Sequence, residues 1–298
     1  MINIALIGLG KMGKNFLQET KKFKNVKILK ILKKKKIKKE NFYNNSNLFF
    51  KKHKLNIDGY IIASPVETHY LYLKKILKIN KPIIVEKPLV ASYSEFRKLL
   101  KLKNFIKKKK ILVNHSDLYS SEFNNIKLFL KSIGKINKVD MIFGKHQKNY
   151  KKSLPYFDWL PHPIAIFCFL FGKPNKINIE KNKIKKKNNC NFQDLHLSLV
   201  RQNIKANINF SNNFKLPRRL VKIIGSKGTI IYNGYGKNKL SILKNDKKKI
   251  VYKDSKYTPI TNILKKFSKL IENKKNKNDV LLSLNVMERL LKIKKNIE

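Results

Sequence analysis

The residues whose type and spacing can do chemistry begin close to Met1. Gly8-Leu9-Gly10-Lys11-Met12-Gly13 is a G-x-G-x-x-G segment, placed directly after an apolar run and at the start of a helical pattern. In that setting the three glycines serve different ends. Gly8 permits a tight turn, Gly10 lets backbone approach a pyrophosphate, and Gly13 permits close packing of helix on strand. The helix N-terminus, which takes in Lys11 and Met12, favours an anion. The competing reading is a glycine-rich turn without a ligand, and the order strand, motif, helix favours the dinucleotide. About 20 residues on, a site for NAD places an acid on the ribose 2′-hydroxyl. Lys33 stands there instead, followed by Lys34 to Lys36, and no acid comes before Glu40. A cation suits a 2′-phosphate and favours NADP over NAD, although any loop position in so lysine-rich a sequence is apt to be Lys.

The elements that must position these residues follow from apolar periodicity. Ile2 to Ile7, Val26 to Leu32, Gly59 to Ala63, Pro82 to Glu86 and Ile111 to Asn114 are strand-length runs. Helical patterns over Lys11 to Lys22, Leu71 to Ile79 and Ser92 to Lys103 separate them, the last opened by a capping-box spacing of Ser92 with Glu95. Strands alternating with helices predict a parallel sheet of βαβ units. After Leu118 the pattern changes. One helix is expected over Ser121 to Ser132, closed by Gly134, and then strands follow strands. Leu195, Leu197 and Leu199 alternate with polar residues, as do Ile204, Ala206, Ile208 and Phe210. Leu220 to Ile224, Ser226-Lys227-Gly228 and Thr229 to Tyr232 read as a hairpin. Helical stretches over Ile260 to Glu272 and Val280 to Ile293 follow. The expected fold is α/β: a doubly wound parallel dinucleotide-binding domain at 1–117, then an α+β domain with a mainly antiparallel sheet at 118–298.

Composition constrains partners. The 298 residues carry 69 Lys and Arg against 18 Asp and Glu, a formal charge of +51. That balance raises nucleic acid or an anionic membrane as partners. Yet 64 of the basic residues are Lys and only 5 are Arg, whereas phosphate and base-edge readers favour the bidentate fork of Arg. Lys, Asn and Ile have A/T-rich codons, so genomic drift accounts for the charge without a nucleic-acid partner. Cys168 and Cys190 are too few for a disulfide framework or a multi-cysteine zinc site, so no metal is expected. The run from Pro163 to Gly172 falls short of the ~18 residues that span a bilayer. Met1 to Leu9 lacks the charged region and cleavage site of a signal peptide, and a cytoplasmic protein is expected.

Further segments carry a resemblance. Asp58-Gly59-Tyr60-Ile61-Ile62-Ala63-Ser64-Pro65 with His69 resembles the D-x-V-x-I-A-T-P-x-x-x-H segment of the Gfo/Idh/MocA oxidoreductases, the family of glucose–fructose oxidoreductase and inositol dehydrogenase. Glu86-Lys87-Pro88 is similar to that family's E-K-P, and Asp158-x-x-x-His162 to its D-x-x-x-H. Ile133-Gly134-Lys135-Ile136, Gly172-Lys173-Pro174 and Ile224-Gly225-Ser226-Lys227-Gly228-Thr229 extend the likeness along nearly the whole chain. The resemblance implies NAD or NADP as cofactor, with Ser64, Pro65, His69, Glu86 and Lys87 joining the glycine segment and Lys33 around it. It implies Lys87, Asp158 and His162 as the catalytic set. A sugar, polyol or nucleotide-sugar substrate and a homodimer or homotetramer also follow from it.

The chemistry is coherent. Oxidising a secondary alcohol needs a base for the hydroxyl proton, and an imidazole serves near neutral pH. A lysine beside a cationic nicotinamide would have a lowered pKa and could share the proton or polarise the oxygen. If the segment is helical, the i, i+4 spacing puts Asp158 and His162 on one face, letting Asp158 orient the imidazole or hold a substrate hydroxyl. The sequence departs from the family at Leu160, Pro163 and Ala165, where Gly, Asp and Asp are common, and at Leu118, where Arg is. These departures keep open a weakly active or inactive member acting as a dinucleotide-binding sensor or partner module, and the resemblance to a neighbouring branch keeps open an NAD-dependent glycosidase. Outside the likeness, His162 between two prolines could be structural, His196 lies on the polar phase of a strand, and His53 and His146 have no partner pattern.

Overall fold

The computed structural model describes residues 1–33, 42–53, 56–147, 150, 154–245, 247–252, 257–272 and 280–297. Glu40 and the lysines at 34–36 lie outside them. Two compact units form. The first comprises Met1–His115 and Pro259–Met287, the second Ser116–Thr258 and Glu288–Glu298.

In the first unit β1 (Ile2–Ile7), α1 (Lys11–Thr20), β2 (Val26–Leu32), β3 (Phe42–Tyr43), α2 (Ser46–His53), β4 (Gly59–Ile62), α3 (His69–Lys78), β5 (Ile83–Glu86), α4 (Tyr93–Lys101), α5 (Lys103–Lys107) and β6 (Ile111–Asn114) follow in order. The sheet order is β3-β2-β1-β4-β5-β6, and every pair is parallel. This is the doubly wound dinucleotide-binding arrangement, with its switch of direction at β1. Unbroken apolar runs suit such strands: Ile4 to Ile7, Tyr60 to Ile62, Ile83 to Val85 and Ile111 to Val113 are all buried, because helices cover both faces. The α4 cap forms as its spacing predicts, with Ser92 Oγ accepting from Glu95 N–H at 3.2 Å. The return arm reaches one residue further back, Glu95 Oε2 accepting from Ala91 N–H at 3.0 Å.

The second unit contains α6 (Ser121–Asn124), α7 (Ile126–Leu130), β7 (Ile136–Gly144), α8 (Tyr156–Trp159), α9 (Pro161–Phe171), β8 (Lys176–Lys187), β9 (Cys190–Arg201), β10 (Ile204–Ser211), β11 (Arg218–Gly225), β12 (Gly228–Asn233), β13 (Leu240–Lys244) and β14 (Lys247–Tyr252). Its sheet runs β14-β13-β12-β11-β7-β10-β9-β8, antiparallel except where β10 pairs β7. The single helix expected over Ser121 to Ser132 is broken at Asn125 and ends in a 3-10 turn, Lys131–Ile133. Asn125 Nδ2 donates to the Ser121 carbonyl at 2.7 Å, a local bond that competes with the helical ladder. The β11–β12 hairpin closes over Ser226 and Lys227, with Gly225 opposite Gly228. Its turn locks onto the 134 region: Ser226 N–H donates to the Lys135 carbonyl and Lys227 N–H to that of Ile133. A Cβ on Gly134, whose φ is +74°, would lie 2.4 Å from Ser226 Oγ. Two separate segments of the family likeness therefore form one structural joint. Helix α9 starts on Pro161, ends at Gly172 with φ +86°, and buries every residue from Pro161 to Cys168, as a helix apolar all round must.

Helices α10 (Pro259–Glu272) and α11 (Val280–Ile297) follow. A single boundary at 117/118 does not describe this division, because Pro259–Met287 packs with the first unit. Ile263, Leu264, Phe267 and Leu270 form the buried stripe of α10, and Phe267 lies so close to Gly59 on β4 that a Cβ there would meet its ring at 2.7 Å. Among the described residues, no helix is long and apolar enough to cross a membrane.

Candidate active site

The first unit gathers its candidate residues at the carboxyl ends of adjacent strands, where parallel sheets of this order bind ligands. The three motif glycines meet different demands. Gly8 has φ +97°, and a Cβ there would lie 2.5 Å from Ala63 O and Ser64 N. At Gly13 a Cβ would lie 2.1 Å from the Gly8 carbonyl oxygen. Both are glycine because protein backbone presses on them. At Gly10 no atom of the described residues comes within 4 Å of such a Cβ, so none of them asks for glycine there. Gly10 is the N-cap of α1, no side chain caps it, and the first turn holds no acid. An open approach at a helix N-terminus fits a pyrophosphate, and the residues present fit a dinucleotide. Lys11 is exposed and Met12 half-buried in that first turn. Lys33 is half-buried after β2, its N–H bonded to the Tyr43 carbonyl at 2.8 Å.

After β4, Ser64 Oγ lies 2.6 Å from Thr68 Oγ1, and the Pro65 carbonyl accepts from Thr68 N–H and hydroxyl. His69 is buried, with Nδ1 2.9 Å from the Pro88 carbonyl and Nε2 2.9 Å from the Ser64 carbonyl. Burial pushes its pKa down against the pull of those two carbonyls. Both ring nitrogens are engaged by backbone, so His69 braces the loop after β4 to the loop after β5. Glu86, at the end of β5, accepts from Asn114 Nδ2 at 2.7 Å, and both residues are buried. Lys87 is half-buried beside it, joined to Pro88 by a cis peptide.

In the second unit Asp158 lies on α8 and His162 on α9, joined through Leu160 in helical conformation. The carboxylate on the His162 ring is not the one the i, i+4 spacing predicts. His162 Nδ1 lies 2.8 Å from Oδ2 of Asp117, a buried residue in the 3-10 turn Ser116–Tyr119. Asp158 is exposed, and its Oδ2 accepts from the Tyr150 hydroxyl at 2.9 Å. The other Asp117 oxygen, Oδ1, accepts from the Tyr232 hydroxyl on β12 and forms an ion pair with Arg219 Nη1 on β11, each at 3.3 Å. Burial alone would raise the Asp117 carboxyl. The Arg219 guanidinium, the His162 ring and the Tyr232 hydroxyl outweigh it and hold the group well below the usual carboxylate range. Burial and the Asp117 charge push the Tyr232 phenol up, and burial and the Asp158 charge do the same to Tyr150. For Arg219, the Asp117 charge overcomes burial and raises the guanidinium. Aromatic rings confine the imidazole, with Phe143 stacked at 6.4 Å and Trp159 tilted at 6.1 Å between centroids.

Sequence reasoning missed Asp117, Arg219, Tyr232 and Asn114. Arg219 carried one usable signal, being one of 5 arginines among 69 basic residues. Asp117 carried none, because its partners are 45, 102 and 115 residues away in sequence. Among the departures, Leu160 and Ala165 are fully buried in apolar surroundings, and Leu118 is half-buried.

Known proteins bear on this arrangement. Residues 2–115 match the family model described as oxidoreductase family, NAD-binding Rossmann fold. Inositol 2-dehydrogenase of Corynebacterium glutamicum (strain R) is 26% identical over 121 residues, which cover 39% of this chain and 36% of that enzyme. The match thus spans little more than a third of that relative's length. A dehydrogenase from Clostridium difficile superimposes with a TM-score of 0.80 at 17% identity, covering 99% of both chains. UDP-N-acetylglucosamine 3-dehydrogenase from Acidithiobacillus ferrooxidans does so with a TM-score of 0.79 at 13% identity, covering 98% of this chain and 96% of that one. At those identities the likeness is one of fold. The glycine turn, the parallel sheet order and the E-K-P segment after β5 all lie within residues 2–115, the part of the chain that is similar to the oxidoreductase family with an NAD-binding Rossmann fold.

Proposed function

We propose that the protein is an NAD(P)-dependent oxidoreductase acting on a hydroxyl or keto carbon of a sugar, polyol or nucleotide-sugar. One observation carries the reading: the open face of Gly10 at the uncapped start of α1, on a sheet of dinucleotide-binding order. The activities named for the inositol and UDP-N-acetylglucosamine dehydrogenases support the substrate class. Gly8, Gly10, Lys11, Met12 and Gly13 hold the pyrophosphate, and the loops at Ser64–Pro65 and Glu86–Lys87 flank the rest of the dinucleotide. Bound nicotinamide supplies the hydride acceptor or donor. His162 takes or returns the hydroxyl proton, Lys87 shares that proton or polarises the substrate oxygen, and Asp158 accepts a hydrogen bond from a substrate hydroxyl. The buried, unpaired Cys168 and Cys190 support a reducing, cytoplasmic setting. A homodimer or homotetramer accompanies the reading.

Lys33 makes NADP the preferred cofactor. Fluorescence titration with NADH and NADPH tests this: NADPH should bind more tightly, and Lys33→Asp should reverse the order. Equal affinities in both proteins would remove Lys33 from cofactor choice. Failure of either nucleotide to bind would overturn the function. Turnover across a polyol and nucleotide-sugar panel, lost in Lys87→Ala and His162→Ala, tests the chemistry.

A further inference from the structure

The proton step requires that His162 keep a lone pair on one ring nitrogen, and its surroundings decide which. Asp117 is the buried group against Nδ1, at 2.8 Å. Its far oxygen faces two donors, Arg219 Nη1 and the Tyr232 hydroxyl, each at 3.3 Å. Main-chain placement is equally determined, because the Asp117 carbonyl accepts from Ser120 N–H and Ser120 Oγ, each at 3.0 Å. A carboxylate held ionised by an arginine only accepts hydrogen bonds. The imidazole nitrogen facing it must therefore carry the hydrogen.

We infer that Asp117 is the positioning residue for His162: Arg219 and Tyr232 fix one carboxylate oxygen, and the other holds the imidazole as its Nδ1–H tautomer, leaving Nε2 as the basic nitrogen. This rests on the reading of His162 as the acid/base group. In the oxidising direction the substrate O–H bond breaks, the proton binds Nε2, and its electron pair stays on the substrate oxygen. The resulting imidazolium lies against the Asp117 carboxylate, which stabilises it without taking its proton, as in other histidine–carboxylate pairs. Asp158, exposed and bonded to Tyr150, is not the carboxylate that holds the ring.

The geometry makes a sharp statement about Asp117→Asn. An asparagine there has one oxygen and one NH2 group. Arg219 and Tyr232 are donors and claim the oxygen, so the NH2 group turns to Nδ1 and demands a lone pair there. The ring must then carry its hydrogen on Nε2, where it can no longer accept a proton. The test is nitrogen NMR of the full chain with 15N-labelled histidine rings, at pH 9 and without cofactor or substrate. The chain has six histidines, and His162→Gln identifies the signals of interest. In the wild type, Nδ1 should show the protonated-type shift and Nε2 the lone-pair shift. In Asp117→Asn, folded by circular dichroism, the two shifts should exchange. A wild-type ring with hydrogen on Nε2, or one still doubly protonated at pH 9, overturns the inference. So does a folded Asp117→Asn protein that keeps the wild-type tautomer. If that variant does not fold, the wild-type shifts alone decide. A protein that fails to bind nucleotide or turn over sugars would leave these shifts unchanged, so the two failures are distinguishable.

Discussion

Gly10 and Gly13 stand three residues apart and are glycine for opposite reasons. A methyl at Gly13 would press on the Gly8 carbonyl oxygen, whereas one at Gly10 would enter open space. Gly13→Ala should therefore cost about 1–3 kcal/mol or more of stability, as forced overpacking does. Gly10→Ala should keep the wild-type Tm yet weaken nucleotide binding at least tenfold, about 1.4 kcal/mol. Thermal melts beside a fluorescence titration separate the two, and a Gly10→Ala protein that binds normally would remove Gly10 from the pyrophosphate site. Asp117 makes a pH-dependent contribution. Its carboxyl lies below the usual range in the folded chain and returns to that range on unfolding. The stabilisation it brings is complete above the usual carboxylate range and drains away as pH falls below it. Wild-type Tm should thus fall more steeply below about pH 4 than that of Asp117→Asn. At pH 7 the variant should be less stable by about 3–5 kcal/mol, since the buried Arg219 faces a neutral amide oxygen in place of a carboxylate. Parallel acid melts of the two proteins would contradict this account.

Helix α10 shows how an element's period and its destination are separate matters. Its apolar stripe at Ile263, Leu264, Phe267 and Leu270 is legible as a helix from spacing alone. The surface that accepts it is Gly59 on β4, some two hundred residues earlier in the chain, where the missing Cβ makes room for the Phe267 ring. Thr261 adds a buried hydrogen bond to Glu19 of α1 at 2.5 Å. Truncation of Phe267 to Ala should cost about 3–5 kcal/mol. Unfolding of that variant should lower nucleotide affinity near the midpoint, because the sheet it covers carries the glycine turn. Chemical denaturation, with loss of NADPH fluorescence followed in parallel, checks this. An unchanged midpoint would show that α10 adds little to the first unit. Capping presents the simpler case, where Ser92 and Glu95 act over a few residues and the pattern alone predicts the bond.

The charge of +51 acts on the protein as a whole. Screening shortens from about 30 Å at 0.01 M salt to about 8 Å at 0.15 M, and like charges spread over the surface destabilise the compact state. Tm should therefore rise with sodium chloride across that interval, and a Tm that fell would mean that attractive ion pairs outweigh the repulsion. Few such pairs are present among the described residues: Lys173 with Glu288 at 2.6 Å and Lys22 with Glu19 at 2.7 Å are examples. Three of the 5 arginines lie inward, whereas Arg97 and Arg218 are exposed. Arg289 is buried, and Arg201 and Arg219 are half-buried with defined acceptors or charges beside them. Rarity of Arg in so lysine-rich a sequence was thus the one compositional clue to the cluster around Asp117.

Local information was enough for much of this protein. The glycine turn, the strand–helix alternation, the Ser92 cap and the Ser226–Lys227 hairpin each depend on a few consecutive residues, so spacing determined them. The parallel sheet followed from strands alternating with helices, and the unbroken apolar runs at Ile4, Ile61, Ile84 and Leu112 suit its burial on both faces. Tertiary structure alone decided the unit that α10 joins and the carboxylate that meets His162. Spacing on one helix can put Asp158 and His162 on the same face, but it cannot say which charge from elsewhere reaches the ring first. Asp117 reaches it because Arg219 and Tyr232, on two neighbouring strands of the second sheet, make a buried carboxylate tolerable there. That compensation exists only once the sheet has formed.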